Sequence, residues 1–127
     1  MGYLTKHIIN IIPDEQNTEE NLVKVRTAVA DALGEPIYES MNICSFNGTK
    51  YINDRLFNYG FGSKWYHNEQ MLAASKKIPE FKIRLRYLGE NGDAFDEVYE
   101  NGKRVSSVEI SNTDDFKSLY LSLLRYS

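Results

Sequence analysis

The stretch Phe81-Lys82-Ile83-Arg84-Leu85-Arg86-Tyr87 constrains the fold of this chain more than any other segment. Apolar and cationic side chains alternate there without a break. A β-strand with one buried and one wet face puts every second residue on the same side, and a helix does not. Two Asn-Gly dipeptides follow, at Asn91-Gly92 and Asn101-Gly102. Asn-Gly accepts the positive φ angles of a tight hairpin turn, so the strand opens an antiparallel meander. A two-residue loop at Asn101-Gly102 sets Phe95 against Val108 and Tyr99 against Arg104. That makes Phe95, Tyr99, Val108 and Ile110 the core side of the last hairpin. The first turn then needs an odd-length loop or a bulge near 89–94, because a second two-residue loop would put Asp96 and Val98 beside Leu85 and Tyr87.

Upstream, Lys6–Ile12 is a short run with isoleucines on both faces, as expected of a central strand, and Pro13 stops it. Asn17 with Glu20 approximates a capping box ahead of Leu22, Val25, Val29 and Leu33 at helical spacing, with Gly34 as the stop. A second extended stretch is expected over 37–46, and a helix from about Asn68 to Ile78, closed by Pro79. Asn112-Thr113 introduces a last amphipathic helix carrying Phe116, Leu119, Tyr120, Leu123 and Leu124. The order points to one α+β domain over 1–127: a ferredoxin-like sandwich with a mainly antiparallel sheet, three helices and an aromatic-rich insertion at about 47–67.

Composition narrows the function classes. With 127 residues, 42% hydrophobic and 26% charged, the chain has the make-up of one soluble globular domain. One cysteine, Cys44, excludes an internal disulfide and a four-cysteine zinc site. The first residues lack a signal-peptide apolar region, and no run approaches a membrane span, so a cytoplasmic location is expected. There is no phosphate-binding Gly-Lys-Ser/Thr loop, no G-x-S-x-G elbow and no H-E-x-x-H. Cys44 with His67 could form a thiol–imidazole pair, but Cys44 lies in an apolar-alternating strand, where an inert buried cysteine is the commoner outcome. His7 in the first strand reads as structural. No enzyme, metal or cofactor is indicated.

Several segments together resemble the YubB-type ferredoxin-like domains of phages and plasmids: Asn58-Tyr59-Gly60-Phe61-Gly62-Ser63-Lys64-Trp65-Tyr66, Lys77-Ile78-Pro79-Glu80-Phe81 with the strand to Tyr87, Gly92-Asp93-Ala94-Phe95 and Glu100-Asn101-Gly102. Those domains carry a WGTKW-like motif and a proline-led alternating strand. The match covers roughly the second half of the chain, and the motif reads YGFGSKW here. The resemblance implies a ferredoxin-like fold and a mobile-element origin, and it supplies no reaction.

Two segments carry candidate binding residues. Residues 47–67 hold six of the sixteen aromatics, including Tyr59, Phe61, Trp65 and Tyr66, with Lys64 among three bases and one acid. Such a mixture suits a stacking platform for single-stranded nucleic acid, a protein hot spot, or a lid folded inward over the sheet. The second segment is the acidic run Glu90, Asp93, Asp96, Glu97 and Glu100, which lacks calcium-loop spacing. It is either a solvated hairpin edge or an anionic face for a basic partner. Lys82, Arg84 and Arg86 form a basic stripe that either binds phosphates or, the commoner outcome, pairs across the sheet with hairpin acids such as Glu97. The reading that follows is a non-enzymatic binding module from a phage or mobile element. Its partner would be a host protein, such as a nucleic-acid-binding defence nuclease inhibited in the anti-CRISPR or anti-restriction manner. The alternative is a single-stranded nucleic-acid-binding accessory protein that uses 47–67.

Overall fold

The computed structural model describes residues 5–33, 41–54, 68–89 and 92–125. Its strands are β1 (Thr5–Ile12), β2 (Met41–Phe46), β3 (Thr49–Asp54), β4 (Lys82–Gly89), β5 (Ala94–Glu100) and β6 (Lys103–Glu109). Its helices are α1 (Glu19–Leu33), α2 (Asn68–Lys77) and α3 (Thr113–Arg125), with a short 3-10 turn at Asp14–Gln16. The strands form one antiparallel sheet in the order β2-β3-β1-β4-β5-β6. The class is α+β, with three α-helices among the described residues.

Alternation in β4 sorts the sheet into two apolar layers. Ile83 and Leu85 join Ile9 and Ile11 of β1, Ile52 of β3 and Tyr99 of β5 on one face, under Leu22, Val25, Ala28 and Val29 of α1 and Met71 and Ala74 of α2. Each leucine or isoleucine fully buried there contributes about 1.5–3 kcal/mol of transfer free energy. On the other face, Phe116, Tyr120 and Leu123 of α3 cover Ile8, Cys44, Leu88 and Ala94. The isoleucines on both faces of β1 therefore serve two separate cores, as a central strand requires.

Three local expectations need correction. Thr18, not Asn17, caps α1: its hydroxyl accepts from the backbone N–H of Asn21 at 3.1 Å. The Asn17 side chain turns instead to β1. Its Oδ1 accepts from the Ile11 N–H at 2.6 Å, and its Nδ2 donates to the Ile11 carbonyl at 2.8 Å. Second, residues 47–54 are not part of an insertion. Asn47 and Gly48, at φ 52° and 80°, make a two-residue turn joining β2 to β3, and β3 pairs with both β2 and β1.

Third, the β5–β6 register slips. Tyr99 faces Arg104 as expected, but Val98 faces Ser106, so Val105 is an extra, bulged residue. Beyond the bulge Phe95 faces Glu109, and Val108 faces Asp96. Val108 thus leaves the predicted core side and is 61% exposed. Between β4 and β5, pairing resumes at Leu88 opposite Ala94, leaving the odd-length loop that the turn argument required. The Asn101-Gly102 turn is fastened to α2, with the Gly102 N–H donating to the buried Ser75 hydroxyl at 2.9 Å.

Candidate functional site

The acids of the β4–β5–β6 meander do not form one anionic face. Strand alternation sends Asp96 to the α3 side and Glu97 to the α1–α2 side. Asp93, in the loop, and Glu100, at the tight turn, are exposed at opposite ends of β5, roughly 23 Å apart at about 3.3 Å per residue. Glu90 lies outside the described residues.

Glu97 is the most buried of the four described acids. It is 3% exposed. Its Oε1 accepts from the Tyr99 hydroxyl at 2.7 Å, and its Oε2 from the Ser107 hydroxyl at 2.9 Å and Arg104 Nη1 at 3.2 Å. Asn68 Oδ1, at the start of α2, stands 3.4 Å from the same tyrosine oxygen. Desolvation first, and the hydrogen bond to Glu97 second, push the Tyr99 phenol well above its ordinary pKa, so it stays a donor. A buried carboxylate is tolerated only when its lone pairs are met, and here a guanidinium and two hydroxyls meet them. The cluster ties β5 to β6 and gives each Glu97 side-chain oxygen a protein donor.

The α3-side face carries the basic stripe. Arg84 clasps Asp96 across β4–β5, with Nε at 3.0 Å from Oδ1 and Nη2 at 2.6 Å from Oδ2. The hydrogen bond to Asp96 raises the Arg84 pKa further. The pairing expected of the stripe therefore forms at Arg84, with Asp96 rather than Glu97 as the acid. Arg86 lies over the Tyr51 ring, 5.8 Å from its centroid, and burial lowers its pKa. Beside them Asn10 and Asn53 are each 1% exposed, and neither Asn10 Oδ1 nor Asn53 Nδ2 has a hydrogen-bond partner. The other end of Asn53 is occupied, since its Oδ1 accepts from Cys44 Sγ at 3.2 Å. Cys44 is thus a buried thiol with a polar neighbour.

Among the described residues, β6 forms an open edge of the sheet. All seven residues of β6 are exposed, and it ends the strand order. Val105 (52%) and Val108 (61%) are among the four large hydrophobics most exposed in the described residues. The backbone groups of an edge strand that point away from its partner can accept another strand. Pattern reading missed this surface because it assigned Val108 to the core. The clue lay in the β6 sequence itself, where Lys103, Arg104, Ser106, Ser107 and Glu109 leave too few apolar residues for a strand buried on either face.

Of the aromatic segment, Tyr51 sits in β3, packed against the α3-side core and beneath Arg86. Tyr59, Phe61, Lys64, Trp65 and Tyr66 lie outside the described residues, as does His67. Among the described residues no group of three His, Cys, Asp or Glu side chains could hold a metal ion. No helix in them is long and apolar enough to cross a membrane. Compared with protein-family models, curated proteins and solved structures, the chain matches none.

Proposed function

We propose that the protein is a non-enzymatic module that binds a partner protein along the free edge of β6. The observation that carries this reading is the seven-residue exposed strand with Val105 and Val108 standing out of it. Strand addition of this kind takes affinity from main-chain hydrogen bonds and selectivity from the flanking side chains. The Glu97 cluster supports the reading, because it holds β6 rigidly and so presents a preorganised edge. The partner in this proposal is a defence nuclease of a bacterial host, inhibited in the cytoplasm by a protein of phage or plasmid origin. The phage or plasmid origin rests on the resemblance to YubB-type domains, and the nuclease as partner on analogy, from the small size, modest acidity and missing catalytic motifs of the chain. We also read the first four strands and two helices as a ferredoxin-like unit. The spatial order β2-β3-β1-β4 supports this, since each helix then connects two strands with a third lying between them.

A plasmid-cleavage assay against a panel of CRISPR and restriction nucleases tests the proposal. Wild-type protein should slow at least one of them. A Val105→Lys/Val108→Lys variant, with an unchanged melt, should not. Inhibition that survives the double substitution moves the interface off the edge. Salt-dependent quenching of Trp65 by single-stranded oligonucleotide, without nuclease inhibition, would favour the nucleic-acid alternative.

A further inference from the structure

The free edge of β6 also states what strand fits it. Its charges are polarised along the chain, with Lys103 and Arg104 at the start and Glu109 at the end. A strand laid antiparallel to it must therefore carry acid where this one carries base, and base where it carries acid. A second β6, related by a two-fold axis, meets that requirement by construction. Lys103 of each copy comes beside Glu109 of the other, whereas a parallel copy would bring like charges together. In that register Ser106 lies on the axis, small enough for close approach, and Val105 comes opposite Ser107 of the other copy. Val108 comes opposite Arg104 of the other copy, so both valines, 52% and 61% exposed in one chain, lose water against it. The opposite edge of the sheet, β2 (Met41–Phe46), has no charged side chain to answer Lys103 or Glu109. An open chain of β6–β2 contacts thus lacks the match that closes the β6–β6 pair.

We infer that two copies of this chain pair antiparallel through β6, joining their sheets into one of twice the width, and that this dimer shields the edge a partner protein would use. The inference rests on the edge reading above and adds to it that free protein must release its own copy before capturing another chain. Sedimentation velocity on the full chain, from low micromolar to near millimolar, should show a reversible monomer–dimer equilibrium. Lys103→Glu alone or Glu109→Lys alone should each weaken the dimer, by roughly tenfold for two like-charge contacts. Mixing the two variants should restore dimerisation as a heterodimer, and K103E/E109K in one chain should restore the homodimer. A protein that stays monomeric at every concentration overturns the inference, as does a dimer indifferent to both reversals. The nuclease assay separates the two readings. A monomer whose inhibition is abolished by Val105→Lys/Val108→Lys sinks the dimer and keeps the partner edge. A charge-dependent dimer with inhibition unaffected by that variant keeps the dimer and sinks the partner edge.

Discussion

Asp96 and Glu97 are neighbours on β5, yet the sheet gives them opposite surroundings. Asp96 faces the α3 side, where α3 covers the Ile8–Leu88–Ala94 end and Asn10, Asn53, Arg84 and Arg86 share the face with it. Its one strong partner is Arg84, and both side chains keep some contact with water. Glu97 faces the α1–α2 side, where apolar packing is continuous from Ile9 to Tyr99, and it needs three protein donors to sit there. The difference shows how one sheet handles charge under two covers. Where the helical layer is complete, a charge survives by saturation with protein donors. Where it is incomplete, solvent finishes what a single ion pair begins.

Four substitutions break or sharpen that contrast. Leu85→Asp should have the largest effect, because it puts an unpaired carboxylate into the α1–α2 layer with no donor at hand. A loss of about 4 kcal/mol or more, read by denaturant melts, is expected. A melt close to wild type would mean the two layers are assigned to the wrong faces. Glu97→Ala should cost about 1–3 kcal/mol by leaving the Tyr99 and Ser107 hydroxyls without their acceptor. Tyr99→Phe tests the same cluster through pH. The folded phenol titrates above its ordinary value of 10.0, so its contribution is complete below about pH 10 and is lost as pH rises further. Wild-type stability should therefore fall more steeply than that of Tyr99→Phe in alkaline melts, and equal slopes would contradict the buried hydroxyl. Asp96→Asn should be the mildest, within about 1 kcal/mol, since Arg84 can turn to water. A cost as large as that of Glu97→Ala would erase the distinction between the faces.

Regular alternation was the feature most readable in sequence. It located β4, its buried residues Ile83 and Leu85, and the odd loop after it. The Asn101-Gly102 turn was equally readable, because its backbone demand is local. The register beyond it was not, since one bulged residue at Val105 moves every later side chain to the other face and no residue type announces it. The Asn47-Gly48 turn carried the same signal as Asn101-Gly102. The strand after it is hard to read, because Thr49-Lys50-Tyr51-Ile52-Asn53-Asp54 is short and mostly polar and leads into an aromatic-rich stretch. Only pairing with both β1 and β2 explains it as a strand. The candidate site was hardest. Pattern reading treats an acid as solvent-facing, so Glu97 was counted toward a surface it does not reach. Whether an acid is buried depends on donors from Tyr99, Arg104 and Ser107, which only the folded register brings together.

The Asn17 amide has a consequence for how the molecule opens. β1 pairs with β4 along its whole length, and among the described residues its bridges to β3 are Ile8–Asn53 and Ile9–Ile52. At Ile11 the side of β1 away from β4 is bonded by Asn17, whose side chain supplies both a donor and an acceptor, as a neighbouring strand would. Beyond Ile9 the central strand thus has its hydrogen bonds met without the β2–β3 hairpin. With β1 still bonded to β4 and to Asn17, that hairpin is expected to separate as a unit, uncovering Ile52 and Cys44 as it does. In amide exchange it would form its own cooperative block, less protected than the centre of the sheet, with Asn17 as the latch that keeps the remainder intact.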